Sequence, residues 1–328
     1  MNRRLLAAGL KVAVVTFAVI WLSRRVEWLS VLRVISAASP AQLLLAYGLS
    51  WVPICISAFR WRALLRVLDI PVSLGQLLRV AQIGQFFAVL VPGVAGDDGT
   101  RFYYISRFAP GRARQACSTV LLDRVLGFGS LFVVSLFCIP LNWSLMEQTP
   151  GTRLIGFVFL AVGGLMLVSG AVFFAVPKAK LDAVIRAVQA RFESSRLVAD
   201  LTGAAMVFSG RRAVLAGVVF GALLTQLVLS ASFWAGGEAV GISLNLLSWA
   251  SFVPVILVAA VLPITFAGIG VRDTLLFLFL GGVARSDPER VAALSILMLA
   301  FGLTTASLGG VVYLFFKPPS PQEGVVSP

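Results

Sequence analysis

Two stretches decide how this chain is read: Leu90-Val91-Pro92-Gly93-Val94-Ala95-Gly96-Asp97-Asp98-Gly99-Thr100-Arg101, and Val261-Leu262-Pro263-Ile264-Thr265-Phe266-Ala267-Gly268-Ile269-Gly270-Val271-Arg272. Both follow Pro-x6-Gly-x-Arg, both interrupt an apolar segment, and both bring arginine beside acid, since Asp273 follows Arg272. Pro and Gly free backbone groups that hydrocarbon cannot satisfy, so such breaks persist only where they pack in protein or line a wet cavity. Paired interruptions at corresponding places in two halves of a chain point to a substrate site.

The surroundings of the breaks set the class. Of 328 residues, 59% are hydrophobic and 12% charged, and the mean hydropathy is +0.96. That is an integral membrane composition, and no polar interval is long enough to bury a soluble core. One transmembrane domain is expected over residues 1–316, with half-repeats at 1–145 and 150–316 and a disordered tail at 317–328, where Lys317-Pro318-Pro319-Ser320-Pro321 cannot continue a helix. Cys55, Cys117 and Cys138 lack any close spacing, so neither a disulfide framework nor a zinc site is indicated. The chain has no histidine, which removes the usual general base and metal ligand. Its net charge of +13 sits between apolar segments, which speaks for the positive-inside rule and anionic lipids, and against nucleic acid.

Spans are expected at Leu5–Leu22, Ala41–Phe59, Cys117–Ile139, Leu154–Val176, Val214–Trp234 and Val291–Phe316, the first as a retained anchor. The units Leu77–Val91 and Trp249–Leu262 are short against the roughly 20 residues a spanning helix needs. They are read as first arms of re-entrant hairpins over 77–110 and 249–284, in preference to a topology in which every unit crosses. The fold class is then all-α and polytopic, with about six full transmembrane helices plus two broken or re-entrant hairpins, an odd number of spans per half and so an inverted repeat. The basic intervals Arg60–Arg66, Arg101–Arg114 and Lys178–Arg212 fall on one face with both termini, and the Lys- and Arg-free loops Asn142–Thr152 and Gly236–Ser248 on the other. Helical spacing of apolar and basic residues marks Lys178–Ala205 and Arg60–Leu68 as interfacial helices.

Ionisable residues inside apolar segments are costly and normally face a partner or a cavity. Arg101, Arg272 and Arg124 are the candidate substrate-binding residues, because a guanidinium engages phosphate bidentately and stays charged when buried. Gly99, Gly270, Pro92 and Pro263 would shape the site, and Asp97, Asp98, Asp123 and Asp273 would serve as charge partners or couple an ion. The competing reading makes these groups buried ion pairs, such as Arg124 with Asp97 or Asp98, that hold the hairpin and touch no substrate.

The elements Val91-Pro92-Gly93 leading to Gly99-Thr100-Arg101, then Ser118-Thr119-Val120-Leu121-Leu122-Asp123-Arg124, then Leu262-Pro263 with Gly268-Ile269-Gly270-Val271-Arg272-Asp273, resemble the lysylphosphatidylglycerol synthase transmembrane domain family, also described as flippase-like. Two departures keep the charge: Asp97-Asp98 stands where the family usually has one Glu, and Asp273 replaces the common Glu. The resemblance covers nearly the whole chain, without the soluble synthase domain. It implies a lipid translocator that moves an anionic or amphipathic lipid between leaflets of a bacterial inner membrane, while the distribution of basic residues puts both termini on the cytoplasmic side. It implies no enzyme activity, cofactor or metal, and membrane lipids as partners. The alternative is a non-transporting scaffold among lipid-biosynthesis enzymes. A lipid-phosphate transferase fits less well, since the downstream acids that would complete a metal site after Asp98-Gly99 and Arg101 are missing.

Overall fold

A computed structural model describes residues 27–91, 95–147, 149–191, 196–261, 270–281 and 286–317. The described residues form helices and no strand: α1 (Trp28–Ser36), α2 (Pro40–Val67), α3 (Leu74–Leu90), α4 (Ala95–Phe108), α5 (Ala113–Leu141), α6 (Pro150–Ala175), α7 (Lys178–Arg191), α8 (Arg196–Ser209), α9 (Arg212–Ala239), α10 (Leu246–Val261), α11 (Val271–Leu276) with a π turn at Phe277–Gly281, and α12 (Pro288–Phe315). Only helices satisfy their own backbone in hydrocarbon, and five of these, α2, α5, α6, α9 and α12, are long and apolar enough to cross a membrane. They match the expected spans. The proposed anchor at Leu5–Leu22 and residues 318–328 of the tail lie outside the described residues.

α2 and α9 run antiparallel along their whole length. Ser39, just before α2, donates its N–H to the carbonyl of Ala239 at the end of α9 (3.1 Å). Ser232 donates to the Ala46 carbonyl at 2.8 Å, and near the other end a Cβ on Gly221 would meet the Arg60 stem at 3.0 Å.

Each of the two helices ends in the same way. Asp69 (φ 52°) and Gly241 (φ 80°) are both left-handed. Ile70 N–H reaches the Leu65 carbonyl as Ile242 N–H reaches Gly237, Asp69 reaches Arg66 as Gly241 reaches Glu238, and Val72 reaches Ile70 as Leu244 reaches Ile242. This is a Schellman stop used twice. Ser73 then caps α3 through Gln76 N–H (3.2 Å) and Asn245 caps α10 through Ser248 N–H (2.8 Å).

Both short units turn back. Beyond the first hairpin, Arg112 donates to the Leu68 carbonyl at 2.5 Å and the Asp69 carbonyl at 3.4 Å, so the chain returns to the corner it left. Beyond the second, Arg290 donates to the Gly241 carbonyl at 2.5 Å. Because α2 and α9 are antiparallel, the hairpins enter from opposite ends of the bundle. Each first arm packs on the last long helix of the other half, α3 on α12 and α10 on α5. Gln82 of α3 donates to the Thr305 carbonyl (2.9 Å), and Ser251 of α10 to the Cys138 carbonyl (2.9 Å).

The expectation of an interfacial helix at Arg60–Leu68 is corrected: these residues are the last turns of α2. Nothing after Phe59 breaks the helix, and Trp61, Leu64 and Leu65 are buried in the bundle. Lys178–Ala205 forms two helices, α7 and α8, with residues 192–195 between them outside the described residues. Arg212 donates to the Phe174 carbonyl (2.9 Å) and to that of Val176, tying the end of α6 to the start of α9 at the basic end. Asn142 accepts from Ser248 Oγ (3.3 Å), which joins the two Lys- and Arg-free loops at the other.

Candidate functional site

α4 is the returning arm of the first hairpin, and its sequence is too polar for a lipid-facing helix. It is held by close approach to α3. A Cβ on Gly96 would overlap the Phe87 carbonyl, and one on Gly84 would overlap the Asp97 carboxylate. Glycine is therefore a steric requirement at both places.

This packing aims Asp97, Asp98 and Arg101 at α2 and α5, where they meet Arg60, Asp123 and Arg124. The six groups alternate in charge. Arg60 pairs with Asp123. Asp123 lies 3.6 Å from Arg101 Nη1, and Arg101 Nε donates to Asp97 Oδ1 at 3.0 Å. Asp97 also takes Arg124, which in turn pairs with Asp98. Arg101 is further held by Ser57 Oγ (3.2 Å) and lies over the Trp61 ring at 5.4 Å, whose Nε1 donates to Thr119 Oγ1 (3.0 Å). Arg60, Arg101, Asp97 and Asp123 have side chains less than a tenth exposed, while Arg124 is 28% exposed. With three cations and three anions the cluster is formally neutral, which is the condition for keeping it among apolar helices.

Sequence reading placed five members of this cluster among the candidates and missed Arg60. The signal was present: an arginine that directly continues an apolar span, with no break between Phe59 and it, needs a partner. The cluster brings together Arg101, Arg124, Asp97, Asp98 and Asp123, and leaves Arg272 and Asp273 apart. Arg272 donates to Asp273 Oδ1 from Nε (3.0 Å) and Nη2 (2.9 Å) and to the Ser295 carbonyl at 3.3 Å. Ser295 Oγ also donates to Asp273. Among the described residues no hydrogen bond or ion pair joins this pair to the first cluster. Gly270, at φ 95°, precedes α11 and gives its N–H to Asp273 Oδ2 (3.0 Å), a conformation that only glycine adopts freely. Pro92 and Pro263, with Gly93 and Gly268, lie outside the described residues.

The other side of α4 faces open space. A groove of about 670 Å³ runs along it from Phe87, Val91 and Gly96 near the break, past Gly99, Thr100 and Tyr103, to Tyr104, Phe316 and Lys317. A Cβ on Gly99 would meet nothing within 4 Å, so this candidate faces the groove and not the ion pairs. Phe316 lies under Arg79 at 5.6 Å, which puts the Lys317 end of the groove at the base of α3. A second cavity of about 550 Å³ opens at the α2–α3 corner, lined by Arg62, Arg66, Asp69 and Ser73 among others. Both cavities therefore lie at the basic end of the bundle. Among the described residues no group of three or more Cys, Asp or Glu is placed to hold a metal ion.

No curated protein matches this sequence. The sequence profile of the lysylphosphatidylglycerol synthase TM region matches residues 9–310, a span that contains both breaks, both hairpins and every candidate residue above. On that match, and on its apolar helical architecture, the chain is a membrane protein of the lysylphosphatidylglycerol synthase transmembrane-region family.

Proposed function

We propose that this protein moves an amphipathic, anionic lipid between the leaflets of a bacterial inner membrane, with its basic end in the cytoplasm. The observation that carries the reading is the groove along α4. It has an apolar wall of Phe87, Val91, Leu314 and Phe316, tyrosine hydroxyls part of the way along, and Lys317 at its basic end. That gradient suits an acyl chain with its headgroup. Arg62 and Arg66 at the same end add positive potential for anionic headgroups.

The groove leads from the basic end toward the break, where a lipid must leave one leaflet's environment. The second hairpin offers an equivalent element entering from the opposite end. Movement then consists of shifting each hairpin against the long helix of the other half, α3 on α12 and α10 on α5. The ion pairs lock α4 to α2 and α5 in one arrangement. Arg124 and Asp98, the most exposed members of the cluster, form its openable end.

The test is reconstitution into vesicles carrying headgroup-labelled phosphatidylglycerol or phosphatidylcholine, read by quenching from outside. Wild type should expose inner-leaflet label faster than protein-free vesicles, and Gly99→Phe, which fills the groove, should lose the acceleration while remaining folded. No acceleration with either lipid would overturn the reading in favour of a scaffold.

A further inference from the structure

The cavity of about 550 Å³ at the α2–α3 corner shares no lining residue with the groove along α4. Its charged lining is Arg62, Arg66 and Asp69, and Ile70, Pro71, Val72 and Ser73 complete the wall. Arg62 and Arg66 are four residues apart on α2, so their side chains leave one face of the helix on successive turns. Other arginines at this end are engaged: Arg60 by Asp123, Arg112 by the Leu68 and Asp69 carbonyls, and Arg212 by the carbonyls of Phe174 and Val176. Among the described residues neither Arg62 nor Arg66 forms a hydrogen bond or an ion pair, with Asp69 or with any other group.

The corner is built for an anion. Arg62 is half-buried and its Nε is shut off from solvent without a partner, so the guanidinium has lost part of its hydration with no counter-charge in return, a cost that an anion offsets. Ser73 bonds Gln76 through its hydroxyl (2.9 Å) and caps α3, which puts the positive end of a 17-residue helix on the cavity wall. The Leu68 and Asp69 carbonyls, which would repel an anion, are covered by Arg112. Asp69 is the one acid against two arginines, so the lining keeps an excess of positive charge. Its depth is that of a lipid headgroup. Arg62 and Arg66 lie three and seven residues beyond Phe59, where the apolar span ends, or about 4.5 and 10.5 Å at 1.5 Å per residue. The polar layer on each side of a hydrocarbon core is roughly 5–8 Å deep, and arginine side chains extend along it.

We propose that this corner is a binding site for the phosphate group of an anionic phospholipid in the leaflet at the basic end, held by Arg62 and Arg66 and separate from the lipid in the groove. The site requires only that α2 spans the membrane, so it stands whether or not the protein moves lipids. The phosphate oxygens meet the two guanidinium groups from the open side of the cavity, as charge-assisted hydrogen bonds. A lipid held there ties the last turns of α2 to the start of α3, and binds the folded protein in preference to the unfolded chain.

The experiment is thermal unfolding of the full chain in mixed micelles of detergent and phosphatidylcholine, with phosphatidylglycerol replacing phosphatidylcholine in steps. A ligand of the folded state raises the midpoint, so the wild-type midpoint should climb and saturate. Arg66→Gln, at an exposed position that leaves the fold intact, should need about tenfold more phosphatidylglycerol for half the rise, which corresponds to 1.4 kcal/mol. Arg62→Gln combined with Arg66→Gln should lose the rise. Lys180→Gln with Arg186→Gln removes two charges from exposed positions on α7 and should keep it. Absence of a rise in wild type, or an undiminished rise in Arg66→Gln, would overturn the site, and an equal loss in the α7 variant would reduce it to general surface charge. The same rise from inorganic phosphate in phosphatidylcholine-only micelles at matched ionic strength would overturn the lipid in favour of a free anion. None of these readouts involves transport, so they fail independently of the translocator reading.

Discussion

Arg60 of α2 donates to both the carboxylate and the backbone carbonyl of Asp123 on α5, the latter at 3.2 Å, with both side chains 7% exposed. Neither residue is at a break. The pair nevertheless decides where the first hairpin sits, because Asp123 also faces Arg101 and through it the whole of α4. A membrane helix that carries an uncompensated arginine would face a large cost, so α2 and α5 are bound to each other by charge as well as by packing.

Removing one partner strands the others. Asp123→Asn is expected to destabilise the folded protein by about 3–5 kcal/mol, the range for breaking one side of a buried pair. The double change Arg60→Met with Asp123→Leu should recover much of that loss, because both charges leave together. Unfolding in mixed detergent micelles, run as a double-mutant cycle, checks the sign of the coupling.

Gly96 and Gly99 are near neighbours with opposite demands. Gly96→Ala drives a methyl into the Phe87 backbone and should cost about 1–3 kcal/mol as overpacking, with lower yield of folded protein. Gly99→Ala meets open space and should leave stability unchanged or raise it by up to about 1 kcal/mol through helix propensity. Thermal unfolding of the two variants side by side separates them.

The repeated helix stop gives a paired test of backbone strain. Asp69→Gly relieves a left-handed non-glycine residue (φ 52°) and is expected to stabilise by some tenths of a kcal/mol up to about 1 kcal/mol. Gly241→Ala, at φ 80° and with a Cβ that would come within 2.7 Å of Arg290 Nη1, should destabilise by about 1 kcal/mol or more. Amide exchange at Ile70 and Ile242, whose N–H groups close the two stops, should slow in the first variant and quicken in the second.

Among the described residues that line the groove, Lys317 is the one cation. On the translocator reading, Lys317→Glu should reduce movement of labelled phosphatidylglycerol by about tenfold, the factor that corresponds to 1.4 kcal/mol, and change phosphatidylcholine movement far less. Equal loss for both lipids would place Lys317 in the packing of α12 and not at a headgroup.

The membrane class, the five long spanning helices and the two short broken units follow from residue order alone. Apolar length, Pro and Gly are local properties, and in hydrocarbon a single continuous apolar segment satisfies its own backbone only as a helix. The arginines and aspartates near the breaks were legible for the same reason, as charges that apolar segments do not carry without cause. Their partners were not legible. Asp123 meets Arg60 only because α2 packs on α5, Ser295 meets Asp273 only because α11 packs on α12, and Arg101 ends up against carboxylates while Gly99 faces a groove. Which side of α4 is locked and which is open depends on helices far away in the chain. That was settled by close packing at Gly84 and Gly96 and by the need to neutralise every buried charge, and both conditions exist only once the helices have come together.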